Sequence, residues 1–234
     1  MRKPFTLLWL AIVSMSFHTL HPDCESLIFF KEGTKTTMTY YNDDGKVTGS
    51  AKTTYKKVEK IGPTTMASAT QENYDKKGKL ASSTDFTIKC ENGSLLFDMK
   101  LMMPQQQAES FKDLEMTVDG ADKEIPSDLS AGSVLKDAQV KFSFKSKSGM
   151  AMPMMNVSVW ITDRKVEGKE SVTTSAGTFD CFKITENVEV KTILKVKTKT
   201  ASWFSNEAGV VKTESYKDNG KLVGKSELTE LIKK

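Results

Sequence analysis

Histidine is missing from residue 22 onward; the only two, His18 and His21, lie near the amino terminus. Without that base, Ser–His–Asp and Cys–His nucleophilic mechanisms are excluded. The zinc sets that use imidazole are excluded too, and three scattered cysteines do not form a zinc motif. Arginine is almost as scarce: Arg2 and Arg164 stand beside 32 lysines. Phosphate and base recognition favours the planar guanidinium fork, so this lysine-dispersed chain is not expected to bind nucleic acid. There is no long block of one charge and no Gly/Ser-rich linker. The 234 residues allow one large β domain or two small ones, able to bury a core without metal or many disulfides. No cofactor and no metal are expected.

The amino terminus reads "MRKPFTLLWLAIVSMSFHTLHPDC". Arg2 and Lys3 precede a mostly apolar run, Phe5 to Phe17, which is too short to span a membrane. This is the layout of a secretory signal peptide, assigned to residues 1–20. Ser14-Met15-Ser16 offers a cleavage point near Phe17; a cut closer to Cys24 is the alternative. His21-Pro22-Asp23 lacks the small residue that precedes a lipidated cysteine, so anchoring at Cys24 is not expected. Without Arg2 and Lys3 the formal charge falls from +4 to +2. The protein is therefore expected to be exported, in the periplasm or on the cell surface, with no transmembrane span in the mature chain.

Export permits disulfides, and Cys24, Cys90 and Cys181 allow three single bridges, each leaving one thiol over. Cys90 ends the alternation Phe86, Ile88, Cys90, and Cys181 sits in "GTFDCFKI"; both read as strand residues. Cys90 and Cys181 are the candidate pair. Three buried thiols are the alternative.

A local pattern recurs in "YNDDGKV" (41–47), "YDKKGKL" (74–80) and "YKDNGKL" (216–222). Gly45, Gly78 and Gly220 supply the positive φ of tight hairpins. The uneven spacing indicates shared turn chemistry rather than a solenoid. Period-two alternation runs between the turns. Val140, Phe142 and Phe144 alternate with Lys141, Ser143 and Lys145; Leu194 and Val196 alternate with Lys195 and Lys197; Met155, Val157, Val159 and Ile161 alternate with Asn156, Ser158 and Trp160. Strands are predicted near 36–42, 46–59, 65–74, 79–91, 94–100, 139–147, 154–166, 170–175, 178–190, 193–205, 208–216 and 221–232. One exception, "PQQQAESFKDLEM" (104–116), carries Ala108, Phe111 and Leu114 at helical spacing and reads as a short helix. "EIPSDLSAGSVL" reads as a loop. The prediction is a mainly β protein, a single domain over 24–234. It is an antiparallel meander curved into an open half-barrel, wet on its lysine face and covered on the other by its own curl and the helix.

Methionine is plentiful. "SGMAMPMMNVSVW" holds Met150, Met152, Met154 and Met155, and "DMKLMMP" holds Met99, Met102 and Met103. Thioethers select copper(I), but Pro153 interrupts the run and no histidine stands near it. Filling of an irregular core ranks first; lining of a deformable apolar cavity ranks second. Asp and Glu are abundant but mostly fall in turns or on lysine-rich faces, so the protein is not expected to be an enzyme. Paired-carboxylate hydrolysis is the minor alternative, because it needs no histidine.

The stretches "FFKEGTKTTMTYYNDDGKVTGS", "IKCENGSLLFDMK", "TTSAGTFDCFKITENVEV" and "SWFSNEAGVVKTESYKDNGKL" occur in that order. Together they resemble a Bacteroidetes group of exported β-proteins of unknown function, TapB-like or DUF-type. "AGTFDCFKI" and the following "WF…GVVK" are the most specific pieces. The resemblance implies a curved antiparallel sheet similar in shape to the LolA/LolB lipoprotein carriers, and implies no activity. Trp203 and Phe204 are adjacent, so one is expected in the core and the other on the open face or in solvent. The expected function is non-catalytic binding or carrying of an apolar, lipid-like ligand in the concave sheet. Met102, Met103, Met150, Met152, Met154, Trp160 and the 104–114 helix are the lining candidates. The alternative is a structural or assembly module that meets another envelope protein.

Overall fold

In the computed structural model, which describes residues 24–102, 114–146 and 155–233, thirteen antiparallel strands form one continuous sheet. The chain enters through two single 3-10 turns, Cys24–Ser26 and Ile28–Phe30. Then follow β1 (Lys35–Asn42), β2 (Val47–Ile61), β3 (Thr64–Asp75), β4 (Leu80–Glu91) and β5 (Ser94–Phe97). A third 3-10 turn, Met99–Met102, precedes β6 (Leu114–Gly120), β7 (Lys123–Pro126), β8 (Ala138–Ser146) and β9 (Met155–Thr174). The last strands are β10 (Gly177–Lys191), β11 (Lys195–Ser205), β12 (Gly209–Tyr216) and β13 (Leu222–Ile232). The order across the sheet is β6-β8-β9-β10-β11-β12-β13-β1-β2-β3-β4-β5-β7, so β6 and β7 are the two ends and the sheet does not close into a barrel.

The open, curved antiparallel sheet is the predicted architecture, and the three repeated turns are three of its hairpins, β1–β2, β3–β4 and β12–β13. Gly45, Gly78 and Gly220 adopt φ of +76°, +77° and +79°, the left-handed conformation that the turn chemistry anticipated. Four details differ from the sequence reading. The two strands predicted near 154–166 and 170–175 merge into one twenty-residue strand, β9 (Met155–Thr174), because Gly168 pairs with Lys183 without ending the ladder. The expected helix at 104–114 lies outside the described residues except for Leu114, and Leu114 to Met116 belong to strand β6. The stretch read as a loop from Glu124 contributes β7, whose Pro126 can sit in a strand because it ends β7 at the sheet's edge. At the β10–β11 turn, alternation does not lead to burial: Leu194 and Val196 are as exposed as the lysines between them.

Burial falls into three clusters. The first joins the entry segment (Cys24, Leu27, Ile28, Phe29, Phe30) to Tyr55, Phe86, Ile88, Leu95, Val166, Ile184 and Phe204. The second packs Val140, Phe142 and Phe144 of β8 on Val157, Val159 and Ile161 of β9, with Met99. The third gathers Phe179, Cys181, Trp203, Val211 and Leu228. Phe179 and Cys181 alternate along β10 with Phe182 and Ile184, which pack in or against the first cluster. They therefore face the other side of the sheet. This part of β10 and β11 is consequently buried on both faces. Trp203 and Phe204 are both buried, contrary to the expectation that one would face outward. The Nε1–H of Trp203 donates to Glu170, and the ammonium groups of Lys183 and Lys212 lie 5.1 and 4.7 Å from its ring centre.

The cysteine pairing also differs. The bridge joins Cys24 to Cys90, with Cα atoms 5.7 Å apart, and Cys181 is a buried free thiol. Cys90 and Cys181 stay apart because Cys90 faces the first cluster and Cys181 the third, on the far side of β10.

Candidate functional site

What fills the inside of the curl is the entry segment. Leu27-Ile28-Phe29-Phe30 is an apolar run that forms a buried 3-10 turn instead of a strand in the sheet. It is tied to β2 where Gly33 N–H donates to Tyr55 O (2.8 Å) and Tyr55 N–H to Thr34 O (3.0 Å). Phe29 then reaches across the inside. Its ring meets Tyr55 of β2 edge-on at 5.8 Å, Phe97 of β5 at 5.4 Å and Phe204 of β11 in a stacked arrangement at 6.1 Å. A side chain at Gly209 would leave no room for it: an added Cβ would stand 2.9 Å from two Phe29 ring carbons. The disulfide pins the start of this segment to β4.

The plug does not fill the curl completely. Beside Phe29 a half-open hollow of about 190 Å³ remains, walled by Met38, Tyr55, Phe86, Ile88, Phe97 and Leu101, with Lys123 among its lining. Most of that wall is apolar. Its volume lies below the 300–1,000 Å³ of ordinary small-molecule sites, so it suits a slender or short apolar group.

Lys123 connects the hollow to a second feature. Its Nζ lies 2.7 Å from Glu186 Oε1, and Glu186 Oε2 is 3.3 Å from Nε of Arg164. Arg164 is completely buried and Glu186 almost so. A bulge aims the arginine inward. Thr185 pairs with Lys165 but Asn187 pairs with Thr162, so β9 holds one extra residue, and Asp163 takes φ +53°. The Asn187 amide donates to Asp163 at 2.6 Å and holds the bulge. Arg164 Nη1 donates to the Lys136 carbonyl, while Nη2 is buried with no hydrogen-bond partner. Burial lowers the proton affinity of both Lys123 and Arg164, and Glu186 opposes that shift in each. Two cations thus share one buried carboxylate.

Of the predicted lining residues, Met103, Met150, Met152 and Met154 lie outside the described residues. Met102 ends the 3-10 turn Met99–Met102, next to Leu101 of the hollow. Trp160 alternates with buried Val159 and Ile161, so it stands half-exposed on the opposite face of β9, away from the hollow. Met99 is core filler in the second cluster, and Met38 lines the hollow. The sequence reading missed the plug and the buried charges. A signal existed for each: four successive apolar residues at 27–30, and a lone arginine among lysines at 164.

The model of the DUF3108-like family matches residues 31–228. The chain belongs to that family. Two solved structures share the fold. One is a protein from Bacteroides fragilis described as exported and YmcC-like in fold, with TM-score 0.73 and 22% identity, covering 87% of this chain and 97% of its own. The other is a protein from Parabacteroides distasonis described as a lipoprotein, with TM-score 0.72 and 24% identity, covering 88% and 99%. No curated protein matches the sequence. Among the described residues no helix is long and apolar enough to cross a membrane, and no group of three or more His, Cys, Asp or Glu is placed to hold a metal.

Proposed function

We propose that this DUF3108-like protein is an exported, non-catalytic envelope protein that binds an apolar ligand inside its curved sheet. The observation that carries the reading is the apolar hollow left beside Phe29. The plug of residues 24–30 closes part of the same space, so a larger ligand gains room where that segment moves aside. A non-catalytic role is supported by the engagement of the carboxylate that partners the hollow's lysine: Glu186 is paired with both Lys123 and Arg164. Export is supported by the signal-like residues 1–20 and by the two structural relatives, one described as an exported protein and the other as a lipoprotein. The Cys24 sulfur is held by Cys90, which argues against a lipid thioether there. Native mass spectrometry of protein purified from the envelope, followed by lipid extraction, tests the reading. Co-purifying apolar mass supports it. Protein that emerges empty and shows no thermal shift with added fatty acids or alcohols overturns it.

A second reading, an assembly module, is favoured by the open sheet: among the described residues β6 has β8 as its one strand neighbour. The outer side of an edge strand is a template for another strand. Cross-linking in the envelope that traps a protein partner on β6, with no bound lipid, supports it over the first.

A further inference from the structure

From the placement of Lys123, we propose that the hollow selects an apolar ligand with an anionic head, a fatty carboxylate, and that the Lys123 ammonium receives the head. This inference rests on the apolar-ligand reading above and adds the head-group chemistry. An apolar hollow used only for chain burial gains nothing from an ammonium in its wall, because desolvating a charge is costly. Lys123 nevertheless lines the hollow beside Phe97 and Ile125. Its present partner, Glu186, does not depend on it, because Arg164 holds the second carboxylate oxygen. Lys123 can therefore turn toward a ligand carboxylate and leave Arg164 and Glu186 as a one-to-one pair.

Charge balance points the same way. The buried cluster holds Lys123 and Arg164 against Glu186, and Arg164 Nη2 has no acceptor. The neighbouring carboxylates are Glu124, which is bound to Lys136 at 2.7 Å, and Asp137, which acts on Arg164 only through space. A ligand carboxylate brings the buried set to two cations and two anions. Buried charges are tolerated when so paired. The modest volume of the hollow favours a short chain over a two-tailed lipid.

The test compares octanoate with octanol, which share chain length and differ in the head. Both are titrated calorimetrically into the protein after native delipidation. The proposal expects octanoate to bind about tenfold more tightly, as a charge-assisted hydrogen bond provides. Lys123→Met, which leaves the Arg164–Glu186 pair intact, is expected to bring the two ligands to equal affinity. Equal binding of both by the unaltered protein overturns the head-group inference and leaves the apolar reading standing. Binding of neither overturns both. The comparison in the unaltered protein decides the matter even if the variant folds poorly.

Discussion

The aromatic wall of Phe29, Tyr55 and Phe97 and the charged cluster of Lys123, Glu186 and Arg164 meet at one hollow, which Lys123 alone of the cluster lines, and they are made of opposite materials. The aromatic wall gains from every contact it makes, since ring burial and edge-on geometry are both favourable. The charged side has to recover a desolvation cost before it stabilises anything. Folding alone therefore accounts for the first and not for the second. The aromatic wall is also assembled from far along the chain, residues 29, 55, 97 and 204, and is anchored by a bridge between Cys24 and Cys90. On the charged side one bulge in β9 sets Arg164 opposite Glu186, and Lys123 arrives from β7.

Truncation separates the two most sharply. Phe29→Ala removes the ring that touches three strands and is expected to cost about 4 kcal/mol in urea denaturation. The opened hollow should then take up longer apolar probes. Glu186→Gln leaves Lys123 and Arg164 buried without a counter-charge and is expected to cost about 3 kcal/mol by the same measurement. A cost below that of an ordinary surface change would mean that water reaches the cluster and that the charged side is not dry.

The plug's tether comes next. Cys90→Ser is expected to cost about 2 kcal/mol, the low end for a native bridge, because the plug's aromatic contacts survive. Thiol titration provides a second readout. Burial pushes the Cys181 thiol up to about 11, so the folded protein should not react with a thiol reagent near neutral pH. Unfolding without reductant should release one thiol and unfolding with reductant three. A bridge between Cys90 and Cys181 would give the same counts, so peptide mapping of the single reactive thiol distinguishes the pairings: it should be Cys181.

The sheet was legible because its signals are local. Alternation placed Phe142, Val159 and Phe86 inside, and turn chemistry placed Gly45, Gly78 and Gly220 at hairpins. Failures occurred where one residue's position depends on a distant partner. Cys90 could be recognised as a strand residue, but its partner depends on which face of the sheet the entry segment crosses. Trp160 was a lining candidate for the concave face, yet its parity against Val159 and Ile161 already placed it on the other face. Arg164 reads as one more polar residue in "TDRKVE" until the bulge at Asp163 turns it inward. β6 was missed because its start continues the helical spacing of Ala108, Phe111 and Leu114, and β7 because Pro126 and the following polar residues read as a loop.

The smallest expected change tests the comparison most finely. Lys123→Met removes one of two cations from a cluster that has one carboxylate, and the methionine side chain can follow the path of the lysine stem. Stability near neutral pH should change by less than about 1 kcal/mol, unlike Glu186→Gln, because Arg164 still neutralises Glu186. The pH dependence should change more clearly. Burial holds the Lys123 ammonium below its ordinary value of 10.5. Between the folded value and 10.5 the unfolded chain binds the extra proton, so Lys123 makes stability rise with pH across that window. The variant lacks that rise. Urea midpoints followed from neutral pH toward 10.5 should therefore diverge, the unaltered protein gaining on Lys123→Met as the solution becomes alkaline. Parallel curves would show that Lys123 is solvated in the folded protein, and the two sides of the hollow would then differ in composition but not in dielectric.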